Sequence, residues 1–111
     1  MYHYLPHRQT KLFRLSDGAR VVRYAGAEIL RASGSEITVR CPGYVDHSLL
    51  TRLCQGLKEL GKNLRVRWGN GHGYLAVYET ESGREVAELP IEPGTHTSVK
   101  LINYNESSKL A

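Results

Sequence analysis

The residues best suited to chemistry are grouped in "RVRWGNGHGYLAVYE", residues 65–79, where Gly69, Gly71 and Gly73 alternate with Asn70 and His72. Backbone N–H groups of a glycine-rich turn can cradle a phosphate. A phosphate loop of the Walker type ends in Lys-Ser or Lys-Thr and is followed by a helix. A dinucleotide-binding turn spaces its glycines one and then two residues apart, and it too opens a helix. Here the spacing differs, no Lys-Ser or Lys-Thr is present, and the following "GYLAVYE" alternates as a strand does. Gly and Asn readily take the positive φ of tight hairpin connections. The stretch is expected to reverse the chain between two strands rather than to hold a ligand.

Other reactive residue types give no constellation. His47 and Cys54 lie seven residues apart on one predicted helix. That is a rise of ~10 Å, too long for a hydrogen-bonded nucleophile–base pair. Cys54 falls among leucines and reads as a small core residue. His3 and His7 have a helical metal-ligand spacing, but Pro6 works against a helix through both. His72 and His96 lie in separate predicted loops. Serines occur in "LSDG", "ASGS" and "ESG", none of them in a G-x-S-x-G elbow. Glu85 and Glu88 belong to a stretch with five carboxylates between residues 79 and 92. Being three apart on a predicted strand, they point in opposite directions, as a solvated edge does and an acid/base pair does not. No catalytic residue, metal site or cofactor is predicted, and the chain is expected not to be an enzyme.

One arrangement of arginine and tyrosine does suggest a site. If Leu64, Val66 and Trp68 of "NLRVRW" face the core, Arg65 and Arg67 face away. If Leu75 and Val77 do the same, Tyr74 and Tyr78 face away on the neighbouring strand, although Tyr74, Ala76 and Tyr78 would also make an acceptable core side. Arg40 points outward from "EITVRC" by the same alternation, and Arg20 and Arg23 of the first hairpin extend the set. The result is a predicted open sheet face of Arg40, Arg65, Arg67, Tyr74 and Tyr78. Arginines bind phosphates, and aromatic rings stack on unpaired bases for ~1–3 kcal/mol each. The expected function is a small non-enzymatic binding module for an anionic macromolecule, either nucleic acid or an acidic protein surface. The alternative is a protein-directed accessory factor or inhibitor, since Arg and Tyr are also enriched in protein–protein interfaces. A third reading is an enzyme whose site assembles from scattered His and Glu.

The elements that must position these residues follow from periodicity. The chain has 111 residues, within the range of one domain. Hairpins and strands are expected at 11–15, 19–25, 27–32, 36–41, 63–68, 73–79, 84–91 and 97–104, with turns at Asp17-Gly18, "SGS" and "ESG". One helix is expected over 46–61, where Leu49, Leu50, Leu53, Cys54, Leu57 and Leu60 form a single apolar stripe. Asp46 is its predicted N-cap, and Gly61 its predicted end. Residues 1–10 read as an extended arm and 105–111 as a flexible tail. The fold class is α+β: one domain, an antiparallel sheet of about five to seven strands, and the helix packed on one face.

Charge adds a bias. The chain carries 15 Lys+Arg against 11 Asp+Glu, and ten of the fifteen are Arg. Residues 1–70 hold 12 basic and 5 acidic residues, and residues 71–111 hold 3 and 6. Such asymmetry marks a polyanion-facing side, unless the two halves neutralise one another in space. Two cysteines, Cys41 and Cys54, outside any CxxC pair suit a reducing compartment. With no signal-peptide core and no membrane-length apolar run, the chain reads as soluble and cytoplasmic, with no membrane partner.

Overall fold

The computed structural model describes residues 2–4, 10–43 and 45–104. Nine strands and one α-helix follow in the order β1 (Tyr2–Tyr4), β2 (Thr10–Arg14), β3 (Arg20–Tyr24), β4 (Ala27–Ser33), β5 (Glu36–Cys41), α1 (His47–Glu59), β6 (Leu64–Trp68), β7 (Tyr74–Glu79), β8 (Glu85–Pro90) and β9 (Thr97–Ile102). The architecture is α+β, as expected. The sheet is not single, however. Strands β1-β2-β3-β4-β5-β9 form one antiparallel sheet, and β6-β7-β8 form a second. Within the predicted N-terminal arm, Tyr2–Tyr4 pairs with β2. The rest of that arm, apart from Thr10, and the predicted tail lie outside the described residues.

The division into two sheets follows from the helix. After β5 the chain leaves the large sheet through Pro42 and Gly43, forms α1, and returns as the β6–β7–β8 meander. Only β9 rejoins the large sheet, beside β5. Helix and meander together cover one face of the large sheet. Leu30, Ala32, Ile37 and Val39 of that face share a single apolar core with Leu49, Leu53 and Leu57 of α1 and with Leu64, Val66, Leu75, Val77 and Leu89 of the meander.

The helix is closed at both ends. The Asp46 carboxylate accepts from the Leu49 N–H at 2.8 Å, satisfying one of the orphan amide donors. At the other end the Gly61 N–H donates to the Lys58 carbonyl and the Lys62 N–H to the Leu57 carbonyl, each at 3.0 Å, around a left-handed Gly61 with φ 74°. Lys62 then runs inward at 1 % exposure and its ammonium donates to the Gly34 carbonyl at 3.2 Å. Burial, assisted by the nearby Arg20 charge, holds its pKa below the usual lysine value. No helix among the described residues is long and apolar enough to cross a membrane.

Gly56 marks the closest approach of helix to sheet. A Cβ built there would lie 2.5 Å from Leu30 Cδ1 and 3.4 Å from both Val22 γ-carbons. Glycine costs about 1 kcal/mol against alanine inside a helix, and overpacking a core costs about 1–3 kcal/mol. Leu30 and Val22 are fully buried, so they have little room to yield. Gly56→Ala is therefore expected to lower stability by about 1 kcal/mol net, despite its better helix propensity. Urea unfolding of both proteins checks this, and a more stable variant would show that Leu30 moves aside freely.

Candidate functional site

The three-stranded sheet carries four of the predicted residues. Register pairs Arg65 with Tyr78 and Arg67 with Ala76, and pairs Val66 with Val77 and Trp68 with Leu75. Val66, Leu75 and Val77 are buried. Arg65, Arg67, Tyr74 and Tyr78 therefore share the outer face, by the alternation expected. Arg67 is exposed, and its guanidinium lies 4.5 Å from the Tyr78 ring centroid. This diagonal cross-strand contact is within cation–π range. Arg65 is held differently: its Nη1 donates to the Lys62 carbonyl at 2.9 Å and to the Leu64 carbonyl at 2.6 Å. The Tyr74 ring lies across Gly69, where any Cβ would strike it. Such a ring over a glycine restores the apolar cover that the missing side chain leaves out. Glu88 and Pro90 of β8 border the same face.

The glycine stretch closes the β6–β7 hairpin. Residues 70–72 form one 3₁₀ turn, with Gly71 at φ 79° and His72 at φ 59°. Two of its amides are used internally: Gly69 donates to the Tyr74 carbonyl at 2.8 Å and His72 to the Gly69 carbonyl at 3.0 Å. The His72 ring packs on Trp68 with centroids 5.1 Å apart.

Three predicted residues are placed elsewhere. Arg40 and Arg23 lie in the six-stranded sheet, on its outer face. They do not join the Arg65/Arg67 surface, because they belong to a different sheet. Arg20 pairs with Ala32 on the inner side and donates to the Leu60 carbonyl at 3.0 Å, completing the C-terminus of α1. Alternation gives the face of a strand but not the sheet to which the strand belongs.

The outer face of the large sheet also holds residues that sequence reasoning passed over. One ladder row reads Phe13–Val21–Arg31–Thr38–Lys100 across five strands. The adjoining row begins Lys11–Arg23–Glu28. A β-bulge opposite Val22 sets Ile29 and Leu30 both into the core, so that Glu28 and Arg31 emerge together on the outer side. Glu28 accepts from Arg31 Nε at 3.1 Å, Arg31 Nη2 at 2.9 Å and Arg40 Nε at 2.9 Å. The Arg31 hydrogen bonds hold its carboxyl below the usual carboxylate range. Burial opposes this, and the Arg31 and Arg40 charges reinforce it. The alternation of Lys11 with Leu12 and of Lys100 with Val99 was a usable signal for this face; the bulge had none.

The remaining chemistry-bearing groups are occupied structurally. Cys54 Sγ donates to the Val66 carbonyl at 3.2 Å, at the edge of β6 beside the helix, and burial raises its pKa. Burial likewise raises that of Cys41, so neither thiol is activated as a nucleophile. An open cavity of about 290 Å³ lies between the β3–β4 hairpin and the start of α1, lined by Tyr24, Ala27, Ile29, Pro42, Asp46 and Leu49. Its polar groups are engaged: Asp46 caps the helix, and the Tyr24 hydroxyl lies 2.8 Å from Ser48 Oγ. The side chains of His3 and His7 lie outside the described residues.

Glu28 gives a pH-dependent prediction. Its folded pKa is depressed, so the stabilisation is complete above its unfolded value and is lost as pH falls through the folded one. Glu28→Gln is expected to destabilise the protein by up to about 1 kcal/mol near neutral pH. The gap should close on acidification below the ordinary carboxylate range. Thermal melts of both proteins across that range check it, and a gap independent of pH would assign the effect to packing instead. No family model matches the chain, and no curated protein or solved structure matches it.

Proposed function

We propose that this protein is a small non-enzymatic binding module for an anionic macromolecule, engaged through the Arg/Tyr face of the three-stranded sheet. The observation that carries the reading is the exposed Arg67 guanidinium stacked on Tyr78, with Arg65 and Tyr74 on the same face. The ring contact restrains the guanidinium before any partner arrives. Its N–H donors are then presented in an orientation suited to bidentate contact with phosphate or carboxylate. Less side-chain freedom remains to be lost on binding. Tyr74 and Tyr78 add π-surface for unpaired bases. Arg65 contributes charge, while its bonds to Lys62 and Leu64 fix it as the support of the β6 edge.

The two side chains of the stack contribute different physics, which separates them experimentally. Arg67→Ala removes a phosphate contact. It is expected to weaken binding to a labelled single-stranded oligonucleotide and to reduce the slope of log K against log salt by about 0.7. Tyr78→Leu keeps the apolar volume and removes the ring. It is expected to weaken binding by about 1–3 kcal/mol with the slope nearly unchanged. Fluorescence anisotropy over a salt series reads both quantities. Wild-type affinity in both variants would overturn the assignment of this face.

A further inference from the structure

We propose that the outer face of the six-stranded sheet is a second nucleic-acid surface, which grips the phosphate backbone through Lys11, Arg23, Arg31, Arg40 and Lys100. The proposal does not depend on the Arg/Tyr face, which belongs to the other sheet. It begins from a charge imbalance. The register brings these five cations, from five adjacent strands, to one face with Glu28 and Glu36 as the carboxylates among them. Asp17, in the β2–β3 turn, lies near enough to act on Arg31. Glu79, Glu81, Glu85, Glu88 and Glu92 belong to the other sheet and its loops, so these five carboxylates are not part of this face.

The carboxylates within the patch organise it more than they neutralise it. Glu28 is shared by two guanidiniums, leaving a net positive charge at the cluster. It engages Nε and Nη2 of Arg31 and Nε of Arg40, while the side chains of both arginines remain 39 % and 44 % exposed. Each guanidinium has five N–H donors, so both retain donors for a phosphate in a braced geometry. Arg23 is likewise set, 5.3 Å from the Phe13 ring centroid. Lys100, 62 % exposed, is only loosely paired with Glu36 at 3.7 Å. Thr38 and Ser98 add hydroxyl donors on the same face.

The spacing fits a linear polyanion. From β2 to β9 the face spans four strand intervals, about 19 Å. One strand of a duplex advances five or six phosphates over that distance, at about 3.4 Å each. A protein partner fits less well, because interfaces with proteins have an apolar centre. Here Val21 is buried, and the large exposed apolar residue among those described is Ile102, on β9 at the border of the sheet. A sheet face of side-chain cations favours backbone contacts over base reading, so binding should be nearly independent of sequence.

The test is fluorescence anisotropy of the full chain with a labelled single strand and a labelled duplex of unrelated sequences, over a salt series. In the triple variant R23A/R40A/K100A, affinity near 0.1 M salt is expected to fall at least tenfold. Its salt slope should shrink by about 2 on the single strand and by nearly 3 on the duplex. Glu36→Gln is expected to tighten binding two- to threefold, a gain that unfolding cannot mimic. Circular dichroism and thermal melts confirm that both variants are folded. Unchanged affinity and slope in the folded triple variant would overturn the proposal, as would unaltered binding in Glu36→Gln. The doubly substituted R67A/Y78L protein separates the two faces. A loss there alone upholds the Arg/Tyr face and rejects this one, and a loss in the triple variant alone does the reverse. Binding of neither nucleic acid by the wild-type protein rejects both.

Discussion

A six-stranded sheet with strands about 4.8 Å apart is some 24–29 Å wide, and one of its faces here is apolar. A helix of 13 residues is about 20 Å long and 10 Å across, so it covers only part of that face. This shortfall is the constraint on which the rest of the structure depends. The β6–β7–β8 meander fills the remaining area, and the two covers share one core with the large sheet. Gly56 lets the helix sit directly on Leu30 and Val22, and the Cys54 thiol meets the Val66 carbonyl where helix and meander adjoin. Apolar contact of this extent supplies the stability, while the hydrogen bonds between layers fix the fit.

The same arrangement decides where charge can go. With one shared core, each sheet has one outer face, turned away from that core. Basic residues that sit close together in sequence are thereby separated, and residues far apart are joined. Arg23 and Lys100, separated by most of the chain, lie on one face, while Arg20, only three residues before Arg23, turns inward to the end of α1. The two halves of the chain do not simply neutralise one another. Arg31 and Arg40 pair with Glu28 within the first half, and Arg84 pairs with Glu79 within the second. Lys100 and Glu36 are a loose pair between the halves. Five of the acidic residues, Glu79 to Glu92, collect around β7, β8 and the loops beside them, and the cations of the large sheet's outer face outnumber its carboxylates.

Local irregularities carry much of the arrangement. The bulge at Ile29 advances the alternation of β4 by one residue, and without it Glu28 and Arg31 would emerge on opposite faces. The Tyr74 ring takes the place of a side chain at Gly69 and is thereby fixed on the outer face. Lys62, buried at the end of the helix, reaches the β4–β5 turn and ties the helix end to the large sheet. Gly69 and the buried Lys62, which propensity and burial preference alone would count as unfavourable, are each matched by a tertiary partner.

Periodicity along the chain determined most of the local structure. The apolar stripe from Leu49 to Leu60, its Asp46 cap and its Gly61 end were legible, because a helix repeats every 3.6 residues and orphan amides need acceptors. The inward and outward sides of β5 and β6 were legible for the parallel reason that a strand repeats every two, whereas β7, apolar or aromatic on both sides, left two facings open until the fold buried Leu75 and Val77. The hairpin role of residues 69–73 was legible from glycine spacing and from the strand that follows. Only the tertiary structure decided which strands share a sheet. Hydrogen-bond partners of β9 and β5 lie more than fifty residues apart, and no local pattern encodes their pairing. The predicted surface of Arg40 with Arg65 and Arg67 thus became two surfaces, and the bulge that gathers Arg31 and Arg40 around Glu28 arose from fitting two consecutive apolar residues, Ile29 and Leu30, into the same core.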